Sequence, residues 1–105
     1  MIRTTTWMAA LALAALTVPA YAADAANGEE IFETKCGVCH NADSKDKKIG
    51  PGLAGIKDGK LPSGKDATDE VMTDNLNKGG NGMPAFEKLL SDEEKADLVA
   101  YMKTL

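Results

Sequence analysis

The segment Cys36-Gly37-Val38-Cys39-His40 carries the strongest indication of fold and chemistry in this sequence. Two cysteines two residues apart, followed directly by a histidine, form the C-x-x-C-H pattern of c-type haem attachment. Each thiol can add across one vinyl group of a haem, and the spacing lets the chain bridge the two vinyls. The histidine then falls beneath the iron, which accepts imidazole readily. The pattern predicts one covalent haem c bound through Cys36 and Cys39, with His40 on the iron.

Three other uses of these cysteines compete with haem attachment. A disulfide between Cys36 and Cys39 suits an exported protein. A thioredoxin-like redox pair needs a β-α-β pattern, which the sequence lacks. A zinc site needs four ligands, and the chain offers two cysteines and one histidine in all. A haem-free thiol–disulfide protein is therefore an open alternative, which haem retained after acid-acetone extraction would eliminate.

A second axial ligand cannot be a histidine of this chain, because His40 is the only one. Met72 and Met102 fall on apolar helix faces, where core packing is the better explanation. Met83 lies in residues 79–84 (GGNGMP), outside any helical pattern, where glycines permit a close backbone approach. A lone loop methionine is usually just exposed. In a glycine-rich loop downstream of C-x-x-C-H, it indicates the iron ligand.

Helical patterns occupy both ends of the chain and one stretch between them. Asn27 and Gly28 suit the start of the first helix, with Glu29 near the positive end of its dipole. Ser91 and Glu94 form a capping box for the last helix. No segment alternates with period two over a useful length. We predict an all-α domain whose three main helices span about 26–35, 68–78 and 92–103.

Residues 1–22 have the three parts of a secretory signal peptide. A single arginine is followed by an apolar run, and residues 20–22 (AYA) supply the small-x-small cleavage pattern. An uncleaved anchor is the alternative, but the run is short for a membrane span of about 20 residues and ends at a proline. We predict cleavage after Ala22, which leaves a haem-binding domain at residues 23–105.

The composition of the mature segment favours a core filled by a cofactor. The whole chain has 105 residues and five aromatic residues, of which Trp7 and Tyr21 belong to the signal segment. Phe32, Phe86 and Tyr101 are the only aromatic residues of the mature segment that are left to fill the core. A covalently held porphyrin would supply the missing volume, so we expect the haem-free mature chain to be largely unfolded.

Charge restricts the partners of this protein. Without the signal segment, 11 lysines stand against 16 acidic residues, a net charge of −5. This acidity argues against nucleic acid or an anionic membrane as the main partner. Residues 41–65 differ, because six lysines and three aspartates give them a net charge of +3. They are either ordinary solvated loop lysines or a docking rim that steers an acidic partner to the haem edge.

The chain resembles a small class I cytochrome c, similar to the short bacterial electron carriers, over nearly all of residues 26–105. The resemblance implies that the Pro51 carbonyl accepts the ring N–H of the axial histidine and that Leu53 packs against the haem face. It also implies that the two terminal helices cross closely. The matching residues and motifs are Gly28 with Phe32, the C-x-x-C-H segment, Gly50-Pro51-Gly52-Leu53, Met83-Pro84-Ala85-Phe86 and Tyr101.

This resemblance implies a one-electron carrier with His40 and Met83 as axial ligands, and not an enzyme, because the iron keeps no open position for substrate. It implies redox partner proteins that dock transiently and a monomer with no stable membrane insertion after cleavage. The expected compartment is the periplasm, with a photosynthetic lumen as the alternative. The alternative function is a haem-based sensor or redox-enzyme subunit with a displaceable Met83.

Overall fold

The structure is a computed structural model that describes residues 22–105, and three α-helices make up most of the regular structure of those residues. They are α1 (Ala25–Lys35), α2 (Asp69–Lys78) and α3 (Asp92–Met102), with a short 3₁₀ helix at Ile56–Asp58. Over the described residues only isolated β-bridges occur, so the all-α prediction is confirmed. Each α-helix ends within one residue of its predicted bounds. The predicted signal segment, apart from Ala22, lies outside the described residues.

Helix α1 begins one residue earlier than predicted, because Asp24 caps it. The Asp24 carboxylate accepts the backbone N–H groups of Ala26 and Asn27 at 3.0 and 3.2 Å. Gly28 therefore lies inside the helix, and its first turn holds no acidic residue. The prediction that Glu29 acts on the N-terminal dipole is wrong, and the capping carboxylate of Asp24 takes that role.

Side-chain caps also begin α2 and α3. The Thr68 hydroxyl accepts the backbone N–H three residues on, at 3.2 Å. Ser91 accepts the N–H of Glu94 at 3.1 Å, and the Glu94 carboxylate accepts the N–H of Ser91 at 3.0 Å, which confirms the capping box. Lys103 is the C-cap of α3 and donates to Asp69, at the start of α2, across 2.7 Å. This last ion pair joins the two helices at the surface.

Helices α1 and α3 pack closely where Gly28 faces α3. A β-carbon on Gly28 would overlap the carbonyl oxygen of Asp97 and lie 2.9 Å from the β-carbon of Tyr101. One turn further along α1, the rings of Phe32 and Tyr101 meet edge to face, with centroids 5.5 Å apart and planes at 62°. The terminal helices therefore form the crossed pair that the resemblance implied.

A buried carboxylate ties the start of α1 to α3. Asp97 is 3% exposed and accepts the backbone N–H of Asp24 at 2.7 Å and the side-chain amide of Asn27 at 2.9 Å. These hydrogen bonds offset the cost of removing a carboxylate from water. The position of α1 therefore depends on polar contacts as well as on the apolar helix faces.

The apolar core lies where the three helices and the irregular segment between α1 and α2 meet. That segment is held by backbone hydrogen bonds over long sequence distances: Leu53 N–H to the Asn41 carbonyl at 2.8 Å, and Gly55 N–H to the Leu105 carbonyl at 2.8 Å. The buried apolar side chains are Ile31, Phe32, Cys36, Leu53, Ile56, Met72, Leu76, Phe86, Leu90, Leu98, Val99 and Met102.

Candidate functional site

The C-x-x-C-H segment begins where α1 ends. Cys36 is the C-cap of α1, with its N–H on the Phe32 carbonyl at 2.8 Å. The N–H of His40 returns to the Cys36 carbonyl at 2.9 Å, so the chain continues in helix-like turns beyond the end of the helix. Cys36 is buried, and Cys39 and His40 are half-buried. Local hydrogen bonding thus holds both thiols and the imidazole in one short segment.

The imidazole of His40 is oriented by the segment at residues 50–53. Its Nδ1 lies 2.7 Å from the carbonyl oxygen of Pro51. Because a carbonyl can only accept, Nδ1 carries the proton and Nε2 keeps its lone pair for a metal. Gly50 lets this segment approach, since a β-carbon there would lie 2.6 Å from Cε1 of the ring. The Pro51 contact matches the role that the resemblance implied for that carbonyl.

Met83 ends a tight turn after α2. Gly80 and Met83 exchange both backbone hydrogen bonds, N–H to carbonyl, at 2.9 and 3.0 Å. The two residues between them, Asn81 and Gly82, have φ values of 54° and 90°. Positive φ at both central positions is the type I′ geometry that Asn-Gly favours. The turn places Met83 half-buried and packed against the core.

A single cavity of about 490 Å³ brings these segments together. Its volume is that of a typical cofactor site, and its lining is predominantly apolar. Two thiols, one imidazole and one thioether among the lining groups are the donor set of a c-type haem, so the residues present fit that group. Every site residue predicted from the sequence lines this cavity: Cys36, Cys39, His40, Pro51, Leu53 and Met83.

The cavity alone does not distinguish Met83 from the other two methionines of the predicted mature chain. Met72 and Met102 also line it, but they are 3% and 7% exposed and belong to the helical core. Met83 is carried by the loop and not by a helix. A ligand on a loop can meet an iron without displacing core packing, which favours Met83.

The thiol chemistry of Cys36 does not suit a thiol–disulfide exchange protein. Burial, with a smaller contribution from the neighbouring Cys39, raises the pKa of Cys36 to about 11. Reactive thiols in exchange proteins have a lowered pKa, because the thiolate is the nucleophile. The raised pKa therefore argues against Cys36 as the attacking thiolate of an exchange protein.

The mouth of the cavity has lysines and exposed apolar side chains. Lys47 and Ile49 line it, and Ile49 is 73% exposed. The ammonium of Lys48 donates to the Gly37 carbonyl at 2.9 Å and so braces the C-x-x-C-H segment. Sequence reasoning missed this contact and the close approach of Gly50 to His40, because both join residues that no local pattern relates.

Comparison with known proteins identifies the family. The family model described as "Cytochrome C oxidase, cbb3-type, subunit III" matches residues 23–102. Cytochrome c6 of Picosynechococcus sp. is 35% identical over 84% of this chain and 79% of its own length. Cytochrome c2 of Blastochloris viridis is 34% identical over 87% of this chain and 85% of its own length. The structure of cytochrome c6 from the diatom Phaeodactylum tricornutum superposes with a TM-score of 0.62, at 31% identity, covering 77% of this chain and 92% of that one.

The fold and the site together define a c-type cytochrome: the chain belongs to the cytochrome c family. More narrowly, it is a small monohaem class I cytochrome c with a covalently attached c-type haem. It is an electron-transfer protein that acts with redox partners, and not an enzyme. Among residues 22–105, no helix has the length and apolar character to cross a membrane.

Proposed function

We propose that this electron carrier binds its haem through thioether bonds from Cys36 and Cys39, with His40 and Met83 as the two axial ligands. The observation that carries this assignment is the gathering of all four side chains around one cavity. The haem supplies reversible one-electron exchange between Fe(III) and Fe(II). The protein supplies the ligands, their orientation and an apolar surrounding.

Each part of the site has a separate task in this assignment. The Pro51 carbonyl accepts the Nδ1–H of His40, which orients the ring and increases its donor strength. The thioether of Met83 favours the reduced iron, so the potential is raised relative to a second histidine. Leu53, which is buried and lines the cavity, offers its apolar side chain to the haem face. With both axial positions taken by side chains, the arrangement supports transfer of electrons and not binding of substrate.

Met83→Leu tests the axial assignment directly. We expect the oxidised variant to lose the far-red methionine–iron(III) absorption band. Its midpoint potential should fall by on the order of 100 mV or more, because axial ligands change haem potentials by up to about 0.8 V. An absorption spectrum and a redox titration measure both effects.

Met72→Leu and Met102→Leu are the matched controls, since both methionines line the same cavity from helices. Both controls should retain the band and lie close to the wild-type potential. Retention of the band in Met83→Leu, or its loss in either control, would contradict the assignment.

We also propose that partners dock transiently at a lysine rim formed by Lys45, Lys47 and Lys48. All three are exposed, and they precede Ile49 at the cavity mouth. The rim belongs to the segment of net charge +3 in an otherwise acidic chain. Opposite charge on a partner would steer encounters to this side, and electron-transfer complexes need only a small, weak interface.

Charge reversal at the rim should slow electron transfer. For Lys45→Glu with Lys47→Glu, we expect the second-order rate constant with an acidic redox protein to fall roughly tenfold at low salt, because steering accelerates association. Lys48 is left unchanged, since its ammonium holds the Gly37 carbonyl. The difference should shrink near 1 M salt, where the Debye length is about 3 Å.

The control for charge alone is Lys65→Glu with Lys88→Glu. Both lysines are exposed, and neither lines the cavity. This double variant makes the same change in net charge and should retain a faster rate than the rim variant. Equal rates for the two double variants would remove the rim as a docking site.

We propose that the protein is exported to the periplasm as a monomer after removal of residues 1–22. The family match supports this boundary, because it begins at residue 23. Asp24, the second residue of the predicted mature chain, already makes its hydrogen bond to Asp97. N-terminal sequencing of the exported protein reads the cleavage site, and an N-terminus other than Ala23 would revise it.

A further inference from the structure

Lys95 is buried in α3 although its side chain carries a charge. Only 4% of its surface is exposed, and lysines are almost never buried so fully without a partner. Its ammonium donates to the backbone carbonyl of Glu87 at 3.0 Å. A carboxylate oxygen of Asp92 lies 3.7 Å away, on a side chain that is itself fully exposed. The short contact to Glu87 is therefore the main compensation for removing this ammonium from water.

The Glu87 carbonyl belongs to the segment that follows Met83. Residues 84–90 lead from the type I′ turn to the start of α3. The N–H of Phe86 fastens this segment to α2 through the Leu76 carbonyl, at 2.7 Å. Lys95 fastens it to α3 through the next residue, Glu87. The two hydrogen bonds fasten the adjacent residues Phe86 and Glu87 to two different helices. Both residues follow Met83 within four positions.

We propose that Lys95 is a positioning residue for Met83: its buried ammonium fastens the segment after Met83 to α3 and so resists displacement of the methionine from the iron. The inference rests on the proposed function, in which Met83 is an axial ligand. The Gly80–Met83 hydrogen bonds join the turn only to itself, so they do not fix its position against the helices. The bonds at Phe86 and Glu87 supply that connection.

Local packing alone would not require a charge at this position. An apolar side chain of similar length would cover the same core surface without the loss of hydration, and replacing buried charges in this way is often neutral or stabilising. Unlike such an apolar side chain, the ammonium donates a hydrogen bond to the Glu87 carbonyl. Removal of the charge should therefore loosen the Met83 segment without lowering the stability of the whole domain.

Imidazole binding to the oxidised holoprotein measures this loosening. Imidazole competes with the methionine for the iron, so its apparent affinity rises with the fraction of molecules in which Met83 has left. Lys95→Met keeps the length of the side chain and removes its donors. We expect imidazole to bind this variant about tenfold more tightly, the size of effect for one lost hydrogen bond from a charged donor.

Two further measurements separate positioning from general destabilisation. Without imidazole, Lys95→Met should keep the far-red methionine–iron(III) band, and its urea midpoint for loss of helix should not fall below that of the wild type. Lys88→Met is the matched control, because Lys88 is an exposed lysine of the same segment. We expect it to bind imidazole with wild-type affinity.

The outcomes are distinguishable. If the wild-type holoprotein lacks the methionine–iron(III) band, the axial assignment and this inference both fail. If the band is present and Lys95→Met binds imidazole with wild-type affinity, or if Lys88→Met shows the same gain, the role of Lys95 alone is overturned. Should Lys95→Met not accumulate with haem, Lys95→Gln, which keeps only a shorter neutral donor, is titrated in its place. The same increase in affinity is expected, and an unchanged affinity overturns the inference.

Discussion

The Cys36→Ala/Cys39→Ala double variant, which cannot attach haem, is expected to lose most of the helical signal of the native protein. The reason is that the core of this domain is the wall of its cofactor cavity. Phe32, Leu76 and Phe86 are buried core side chains that also line the cavity. Without the haem, these walls would either enclose empty space or collapse onto each other and distort the helices.

The size of the effect follows from the number of core side chains that the haem covers. Full burial of one large apolar side chain contributes about 1.5–3 kcal/mol. The folding free energy of a typical domain is about 5–15 kcal/mol, so the loss of packing at several of these side chains is comparable with the whole stability. The covalently attached haem makes its packing contacts and its bonds to both ligands only in the folded chain, which shifts this balance towards folding.

Far-UV circular dichroism of the exported, signal-free protein measures the outcome. The control is the wild-type protein after chemical removal of its haem. This haem-free protein keeps both cysteine thiols and should be as unfolded as the double variant. If only the double variant were unfolded, the cause would be the loss of the cysteine side chains. Native-like helicity in both haem-free proteins would show that side-chain packing is sufficient, contrary to this prediction.

Gly28→Ala is expected to destabilise the holoprotein strongly, although alanine is the better helix former. The intrinsic preference for alanine within a helix is worth about 1 kcal/mol. Against it, the new β-carbon would overlap the Asp97 carbonyl and lie 2.5 Å from its carbon atom. These are backbone atoms of α3, so the clash can be relieved only if the two helices move apart.

Separation of the helices would weaken several contacts at once. The edge-to-face pair of Phe32 and Tyr101 lies one turn along, and Asp97 holds the start of α1 through Asp24 and Asn27. Overpacking of this kind costs about 1–3 kcal/mol or more, which exceeds the gain in helix propensity. We expect a net loss of about 2 kcal/mol, or about 10 °C in Tm for a domain of this size.

Thermal unfolding of the holoprotein tests this prediction. Gly37→Ala is the control, because the nearest atom to a β-carbon there is the Glu33 carbonyl oxygen at 3.3 Å. That variant should unfold within a few degrees of the wild type. A Tm for Gly28→Ala at or above the wild-type value would mean that the helices can separate without cost.

Most of the fold was predictable because its signals are local. The capping box of α3 joins Ser91 and Glu94, which are three residues apart, and α2 ends at its predicted bound, Lys78, with a glycine as its C-cap. The start of α1 was misplaced by one residue because Asp24, Asn27 and Gly28 are all residue types that suit a helix start. Asp97 favours Asp24 as the cap, because its carboxylate accepts the N–H of Asp24 from 73 residues away in the sequence.

The candidate site was also predictable only where its signals are local in the sequence. The C-x-x-C-H motif and the loop position of Met83 are visible in the sequence, because covalent attachment requires fixed spacing and a loop ligand lacks helical periodicity. Lys95 gave no such signal. In sequence it is one more polar residue on a helix, and its burial depends on where the 84–90 segment crosses α3.

Local patterns along the chain were enough to predict the chemistry of this protein, a covalent haem with one histidine and a methionine in reach, and the helices that surround it. Short-range hydrogen bonds, capping and side-chain spacing are sufficient for both. The buried polar groups and the segments that hold the ligands could be identified only from the folded chain. Asp97 accepts the N–H of Asp24, the Pro51 carbonyl accepts from His40, and Lys95 donates to the Glu87 carbonyl. Those contacts join groups that lie on different structural elements, and only the packing of the chain around one cavity brings them within hydrogen-bond distance.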